Sequence, residues 1–294
     1  MNAEAHVPVD RGRLYCRVIG EGRPIVVLHG GPSLDHYYLL PEMDRLAASF
    51  RLVYYDQRGR GRSAEEVEAD DVTVASEVAD LDAVRRHFGF DSVALLGHSW
   101  GAVLAMEYAT RHPDRVSQLV LLNAAPASAE DYRAFCDNLL RIRPEGDVER
   151  LQAIAASAPY GAGNLEAEVD YYTLHFRVAI RDPERVEQVV QRLRAHFTEE
   201  GVLTARAIGQ RLYDETWGSE GYDLVPRLRA LDVPTLVLHG DHDFIPVAVA
   251  ARIAEAIPSA RLVVLEDCGH FAYLEAPDDF CEHVATLFGE GTGT

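Results

Sequence analysis

The chain has no apolar stretch approaching 18 uninterrupted residues. Its N-terminus, Met1-Asn2-Ala3-Glu4-Ala5-His6, has no basic patch followed by an apolar core. Neither a transmembrane helix nor a signal peptide is expected, and the expected location is cytoplasmic. Basic side chains are in short supply: 28 Lys plus Arg stand against 47 Asp plus Glu, a formal net charge of −19. Affinity for duplex phosphate comes mainly from basic side chains, so nucleic acid is not expected as a partner. The acidity reads as a well-solvated surface; the sharper alternative is an acidic rim or pocket that attracts a cationic substrate. Cysteine is scarce too. Cys16, Cys136, Cys268 and Cys281 show no C-x-x-C spacing, which argues for free thiols in a reducing compartment over a disulfide framework or zinc site.

What is present is a core. A chain of 294 residues that is 48% hydrophobic and 26% charged can bury one large α/β domain or two smaller ones. Strand-type runs at 13–19, 24–28, 51–55, 92–96 and 116–122 alternate with helical segments at 41–48 and 75–88 and a helix after Gly101. Buried runs separated by helices predict a mostly parallel sheet flanked by helices. After Pro126 the strand pattern stops, and helical periodicity takes over, as in 132–142, 148–156 and 183–197. Strands resume at 233–238 and 260–265, with a helix at 249–256 between them. The expected organisation is a core domain, 1–126 and 226–294, with a helical cap inserted at 127–225.

Gly97-His98-Ser99-Trp100-Gly101 lies between a predicted strand and a predicted helix. A G-x-S-x-G in that setting describes a nucleophile elbow, a turn tight enough to project the serine hydroxyl from the end of the sheet. The hydroxyl is a poor nucleophile until a base takes its proton and an acid orients that base. Both follow in the order this architecture requires. One strand end delivers Asp241 and Asp243, and the next delivers His270. Ligands collect at the carboxyl ends of the strands in an open α/β sheet, where all these groups are predicted. Spacing alone leaves Asp241 as a rival acid. His29 and His98 read as hydrogen-bonding groups behind the site, and His239 is a further competing base.

Leu28-His29-Gly30-Gly31-Pro32-Ser33 follows another strand, and its two glycines leave backbone N–H groups to meet a ligand. With the amide of Trp100 they would form an oxyanion hole. The run Asp56-Gln57-Arg58-Gly59-Arg60-Gly61-Arg62-Ser63 lacks a phosphate-loop lysine, so a structural loop with internally paired Asp and Arg side chains is expected. His239-Gly240-Asp241-His242-Asp243 has metal-ligand residue types, but no second His/Cys pair supports a metal, and none is expected.

Taken together, these residues resemble the α/β-hydrolase superfamily over essentially the whole chain, with the nearest likeness to the proline iminopeptidase group. The matching pieces are His29-Gly30-Gly31-Pro32, Asp56-Gln57-Arg58-Gly59-x-Gly61-x-Ser63, Gly97-x-Ser99-Trp100-Gly101, Gly240-x-x-Asp243 and Gly269-His270. The resemblance implies Ser99 as nucleophile, Asp243 rather than Asp241 as acid, His270 as base, and Gly31 and Trp100 as oxyanion donors. It implies no cofactor. It also implies a glutamate that binds a free N-terminal amine, with Glu215 the first choice; Phe244 stands where a second carboxylate sometimes follows the acid. Phe244 and Phe271 are further candidate substrate contacts. Ser33 departs from the glycine usual at that position. The expected substrate is a small molecule or short peptide, cleaved at an amide or, alternatively, an ester bond. A non-turnover receptor on the same fold is the reading from another class. Ser99 argues against dehalogenases and epoxide hydrolases, which use an aspartate nucleophile on this fold.

Overall fold

Eight strands form one sheet in the order β1-β2-β4-β3-β5-β6-β7-β8 in this computed structural model, which describes residues 2–290. The strands are β1 (Asn2–Pro8), β2 (Arg13–Ile19), β3 (Arg23–Leu28), β4 (Phe50–Tyr55), β5 (Val93–His98), β6 (Val116–Leu122), β7 (Thr235–Gly240) and β8 (Ala260–Leu265). β1 and β2 pair antiparallel, as do β2 and β4, and the remaining neighbours are parallel. The four-residue run Ile25 to Leu28 and the central residues of β5 to β7 are almost wholly inaccessible, as expected of parallel strands covered on both faces.

Between β4 and β5 lies α1 (Val74–His87), and α2 (Trp100–Arg111) joins β5 to β6. Between β6 and β7 the described chain is helical throughout its regular elements: α3 (Ala129–Ile142), α4 (Asp147–Ala155), α5 (Ala158–Gly161), α6 (Leu165–Phe176), α7 (Glu184–Val190), α8 (Glu199–Glu215) and α9 (Val225–Leu228). After β7 come α10 (Val247–Ala256), and after β8 α11 (Ala272–Glu275) and α12 (Pro277–Glu290). No helix among the described residues is long and apolar enough to cross a membrane.

Several expectations need correction. β1 was not expected from the sequence. It is an edge strand with only Val7 buried, so it carries almost no apolar signal. The segment at 41–48 is a 3-10 helix over Glu42–Ala48. α7 ends at Val190 instead of continuing to 197, while α6 and α8 fall within the segment expected to be helical but were not placed individually. α8 buries Val202, Ala205, Ile208 and Leu212, a narrow stripe diluted by Gly201 and Gly209. The Asp56–Ser63 loop pairs within itself only in part: Arg62 Nε lies 3.9 Å from Asp56 Oδ2, while the loop's other two arginines reach outside it. Arg58 bridges Asp80, and Arg60 bridges Glu77, both on α1; Asp56 accepts from His36 and from the Arg62 amide. All of the chain's 28 Lys-plus-Arg residues are arginine, whose planar fork suits such buried carboxylate contacts.

The chain turns from β5 into α2 within one residue. Ser99 has φ 55° and ψ −119°, a left-handed conformation that costs a non-glycine residue roughly 1–3 kcal/mol and persists only where its surroundings enforce it. The enforcement is close packing. A Cβ on Gly97 would lie 2.3 Å from the Gly101 carbonyl oxygen, and one on Gly101 would lie 2.2 Å from that of Leu28. The Ser99 amide donates to Leu122 on β6 at 3.0 Å, which ties the elbow to the neighbouring strand. Gly101→Ala is therefore expected to destabilise the fold by roughly 3 kcal/mol, an overpacking cost. A denaturant melt checks this; a wild-type midpoint would contradict the packing account.

Candidate active site

The ends of β5, β7 and β8 bring the candidate triad to one cavity of about 580 Å³, lined by Ser99, His270, Phe244 and Phe271 among others. Asp243 stands behind His270. Both carboxylate oxygens of Asp243 lie 3.0 Å from His270 Nδ1. Asp243 Oδ1 accepts from the Ile245 amide at 2.9 Å, and Oδ2 accepts from Asn123 Nδ2 at 2.9 Å. Burial alone would raise this carboxyl, but the neighbouring His270 and His239 and these hydrogen bonds hold it below the ordinary carboxylate range. Asp241, the rival by spacing, instead contacts His242 Nδ1 at 2.7 Å and accepts from the Cys268 amide. Among the described residues no hydrogen bond joins Ser99 Oγ to His270; such contacts commonly tighten only when substrate is bound.

Sequence reasoning missed Asn123. It follows β6 with φ 45°, and its side-chain amide donates to both Asp243 and the Gly269 carbonyl. One side chain thereby fixes Asp243 and the backbone next to His270. The only sequence signal was an Asn at a strand end, a residue type that tolerates the left-handed region.

Behind the elbow, a chain of hydrogen bonds takes up one of the two glycine amides. Gly30 N–H donates to the Tyr38 hydroxyl at 2.8 Å, and that hydroxyl donates to His98 Nδ1 at 2.6 Å. His98 Nε2–H donates to the His270 carbonyl at 2.8 Å. Burial and the nearby His270 push the His98 pKa down to about 3, so the ring stays neutral and holds this tautomer. Gly30 is thus spent on Tyr38. Neither Gly31, at φ 131° on the cavity wall, nor Trp100, whose amide opens the first turn of α2, has an intramolecular acceptor for its amide among the described contacts. His29 is likewise neutral, its pKa lowered to about 3 by burial, and it accepts from the Gln57 amide.

The helical insertion closes the other side of the cavity. Arg206, Gly209, Gln210 and Tyr213 all line it, a spacing of three, four and seven residues that marks one face of α8. Trp217 follows, stacked on Tyr132 at 4.6 Å. Glu215 falls on the opposite face and does not line the cavity. Its Oε2 accepts from the Val74 amide at 2.9 Å, capping the N-terminus of α1. The amine-binding role expected of Glu215 is therefore corrected: two residues beyond Tyr213, it points the other way around the helix.

Phe244 and Phe271 do face the cavity, and the Phe244 ring meets His270 edge-on at 4.6 Å. His175 also lines the wall. Burial, Arg143 and His270 lower its pKa to about 3. Arg143 can only donate, so its 3.0 Å contact with His175 Nδ1 leaves the ring proton on Nε2. No Asp or Glu is among the described residues that line the cavity, so the acidic-pocket reading of the net charge is also corrected. The four cysteines are free, and no described cluster of His, Cys, Asp or Glu could hold a metal.

Comparison with known proteins finds similarity along most of the chain. The proline iminopeptidase of Lactobacillus delbrueckii subsp. lactis is 25% identical over 279 residues, covering 92% of this chain and 93% of that protein. The proline iminopeptidase of Saccharolobus solfataricus is 29% identical over 276 residues, covering 92% and 86%. The crystal structure of proline iminopeptidase from Mycobacterium smegmatis superposes with a TM-score of 0.73 at 24% identity, covering 98% of each chain. The family model for the alpha/beta hydrolase fold matches residues 23–277, and the chain belongs to the α/β-hydrolase family.

Proposed function

We propose that this protein is a serine hydrolase that cleaves an amide or ester bond through an acyl-enzyme. The observation that carries the reading is the buried Asp243 carboxylate 3.0 Å from His270 Nδ1, with Ser99 at the elbow on the same cavity. His270, oriented by Asp243, takes the Ser99 hydroxyl proton on Nε2 as Oγ attacks the substrate carbonyl carbon. The Gly31 and Trp100 amides receive the oxyanion. Collapse of the tetrahedral adduct breaks the scissile bond, and His270 passes its proton to the leaving amine or alkoxide. Water then adds to the acyl carbon, giving its proton to His270, and Ser99 regains its hydroxyl when the acid leaves. The helical segment between β6 and β7 serves as the cap that bounds the acyl pocket.

Likeness to proline iminopeptidases supports an aminopeptidase or amidase acting on a small N-terminal residue. A second reading, a carboxylesterase with a broad acyl pocket, is favoured by the aromatic wall, which offers a free ammonium no carboxylate among the described lining residues. Prolyl- and alanyl-naphthylamide compared with p-nitrophenyl butyrate separates the two. The peptidase reading predicts turnover of the amides, and cleavage of the ester alone would remove it.

Ser99→Ala is expected to abolish turnover and labelling by fluorophosphonates, and undiminished hydrolysis would sink the assignment. Asp243→Asn keeps the shape but loses the charge that orients and stabilises the imidazolium. A fall in kcat of about 10³- to 10⁴-fold with a near-wild-type fold is expected, the size seen when a triad carboxylate is neutralised elsewhere. A loss below tenfold would show that Asp243 is not the orienting acid.

A further inference from the structure

Glu168, on α6, is fully buried and holds two arginines at once. Arg194 Nε donates to its Oε2 at 2.8 Å, and Arg206 Nε donates to its Oε1 at 2.8 Å. Neither arginine has another ion-pair partner among the described residues. One carboxylate against two guanidiniums leaves the cluster with an excess positive charge. It sits beside a cavity whose described lining holds no carboxylate, in a chain whose net charge is −19.

The two arginines have different tasks. Arg194 is 4% exposed, and its remaining donors go to the Ser33 carbonyl and, at 3.2 Å, to the Tyr172 hydroxyl. It ties the cap to the loop that carries Gly31. Arg206 is 22% exposed and lines the cavity. Its guanidinium lies over the Tyr160 ring at 3.6 Å, and Nη1 donates to the Tyr160 carbonyl at 2.8 Å. A guanidinium carries five N–H donors. Nε, Nη1 and Nη2 of Arg206 each use one, on Glu168 and on Tyr160, which leaves one N–H on each terminal nitrogen. Such free guanidinium donors suit a carboxylate.

We infer that Arg206 is a specificity-determining residue that receives a carboxylate of the substrate. The inference rests on the serine-hydrolase reading above, whichever bond is cleaved. The carboxylate has two sources: the far end of a dicarboxylic acyl group, or the free C-terminus of a short peptide on the leaving side. Glu168 and Arg194 hold the guanidinium in place. Removing Arg206 leaves Glu168 and Arg194 as a one-to-one pair, so the substitution strands no buried charge.

The test compares kcat/KM for 4-nitrophenyl hydrogen adipate, 4-nitrophenyl hexanoate and 4-nitrophenyl 6-aminohexanoate, and for Pro-Ala against Pro-Ala amide. The wild-type protein is expected to favour the carboxylate member of one series by roughly tenfold, as a charge-assisted hydrogen bond gives. In Arg206→Gln that ratio is expected to fall to about one, while Arg133→Gln, which removes an exposed charge from the cap, keeps the wild-type ratio. A preference in the ester series assigns the carboxylate to the acyl group; one in the peptide series assigns it to the leaving group. Equal rates within both series, a preference for the ammonium ester, or a ratio unchanged by Arg206→Gln would overturn the inference. Fluorophosphonate labelling of Ser99 is read in the same samples. A labelled protein with no carboxylate preference contradicts the Arg206 subsite alone, whereas an unlabelled one contradicts the nucleophile itself.

Discussion

Taking a carboxylate out of water costs several kcal/mol unless opposite charge and hydrogen bonds offset it. Asp243 is buried, and the carboxyl ends of three parallel strands are arranged around that requirement. β6 supplies Asn123, β7 leads into Asp243 and the Ile245 amide, and the turn after β8 supplies His270. Each group that stabilises the carboxylate also fixes a piece of the site: Asn123 reaches the Gly269 carbonyl, and His270 is turned toward the cavity. Stabilising the charge and orienting the His270 ring are the same set of contacts.

The opposite requirement governs the elbow. Ser99 is held in a left-handed conformation by backbone packed within van der Waals distance on both sides, where only Gly97 and Gly101 fit. The Gly30–Tyr38–His98 chain then runs from the oxyanion loop under the elbow to the carbonyl of His270. The three loops that carry Ser99, His270 and Gly31 are therefore joined by neutral hydrogen bonds. Because His98 titrates far below neutrality, pH changes near 7 leave that connection intact.

The core of the fold was legible because its strands are buried on both faces and read as continuous apolar runs. So was the neighbourhood of Ser99, Asp243 and His270, since strand ends announce themselves by the turn residues after them. β1 was illegible for the converse reason: an exposed edge strand needs little apolar sequence. The cap was read only as helical. Without the limits of α8, the stripe Arg206, Gly209, Gln210 and Tyr213 could not be phased, and Glu215 was taken from the wrong face. The pairing of Arg58 and Arg60 with α1 was equally hidden, because loop composition does not specify which distant carboxylate a side chain will meet. Net charge misled in one respect. The acidic surface says nothing of the cavity wall, where arginine is the charged residue.

The central claim is that acyl transfer passes through Ser99, and the covalent adduct itself is the most direct evidence. Acid-quenching the protein during turnover of p-nitrophenyl butyrate, followed by tryptic digestion and mass spectrometry, reads the site of acylation. A chain without lysine is cut only at arginine, so Ser99 falls in the peptide 87–111. The account predicts a butyryl adduct on Ser99 in that peptide, accumulating in the steady state and lost on chasing with buffer. Turnover accompanied by an adduct on another residue, or by none at any quench time, would contradict it.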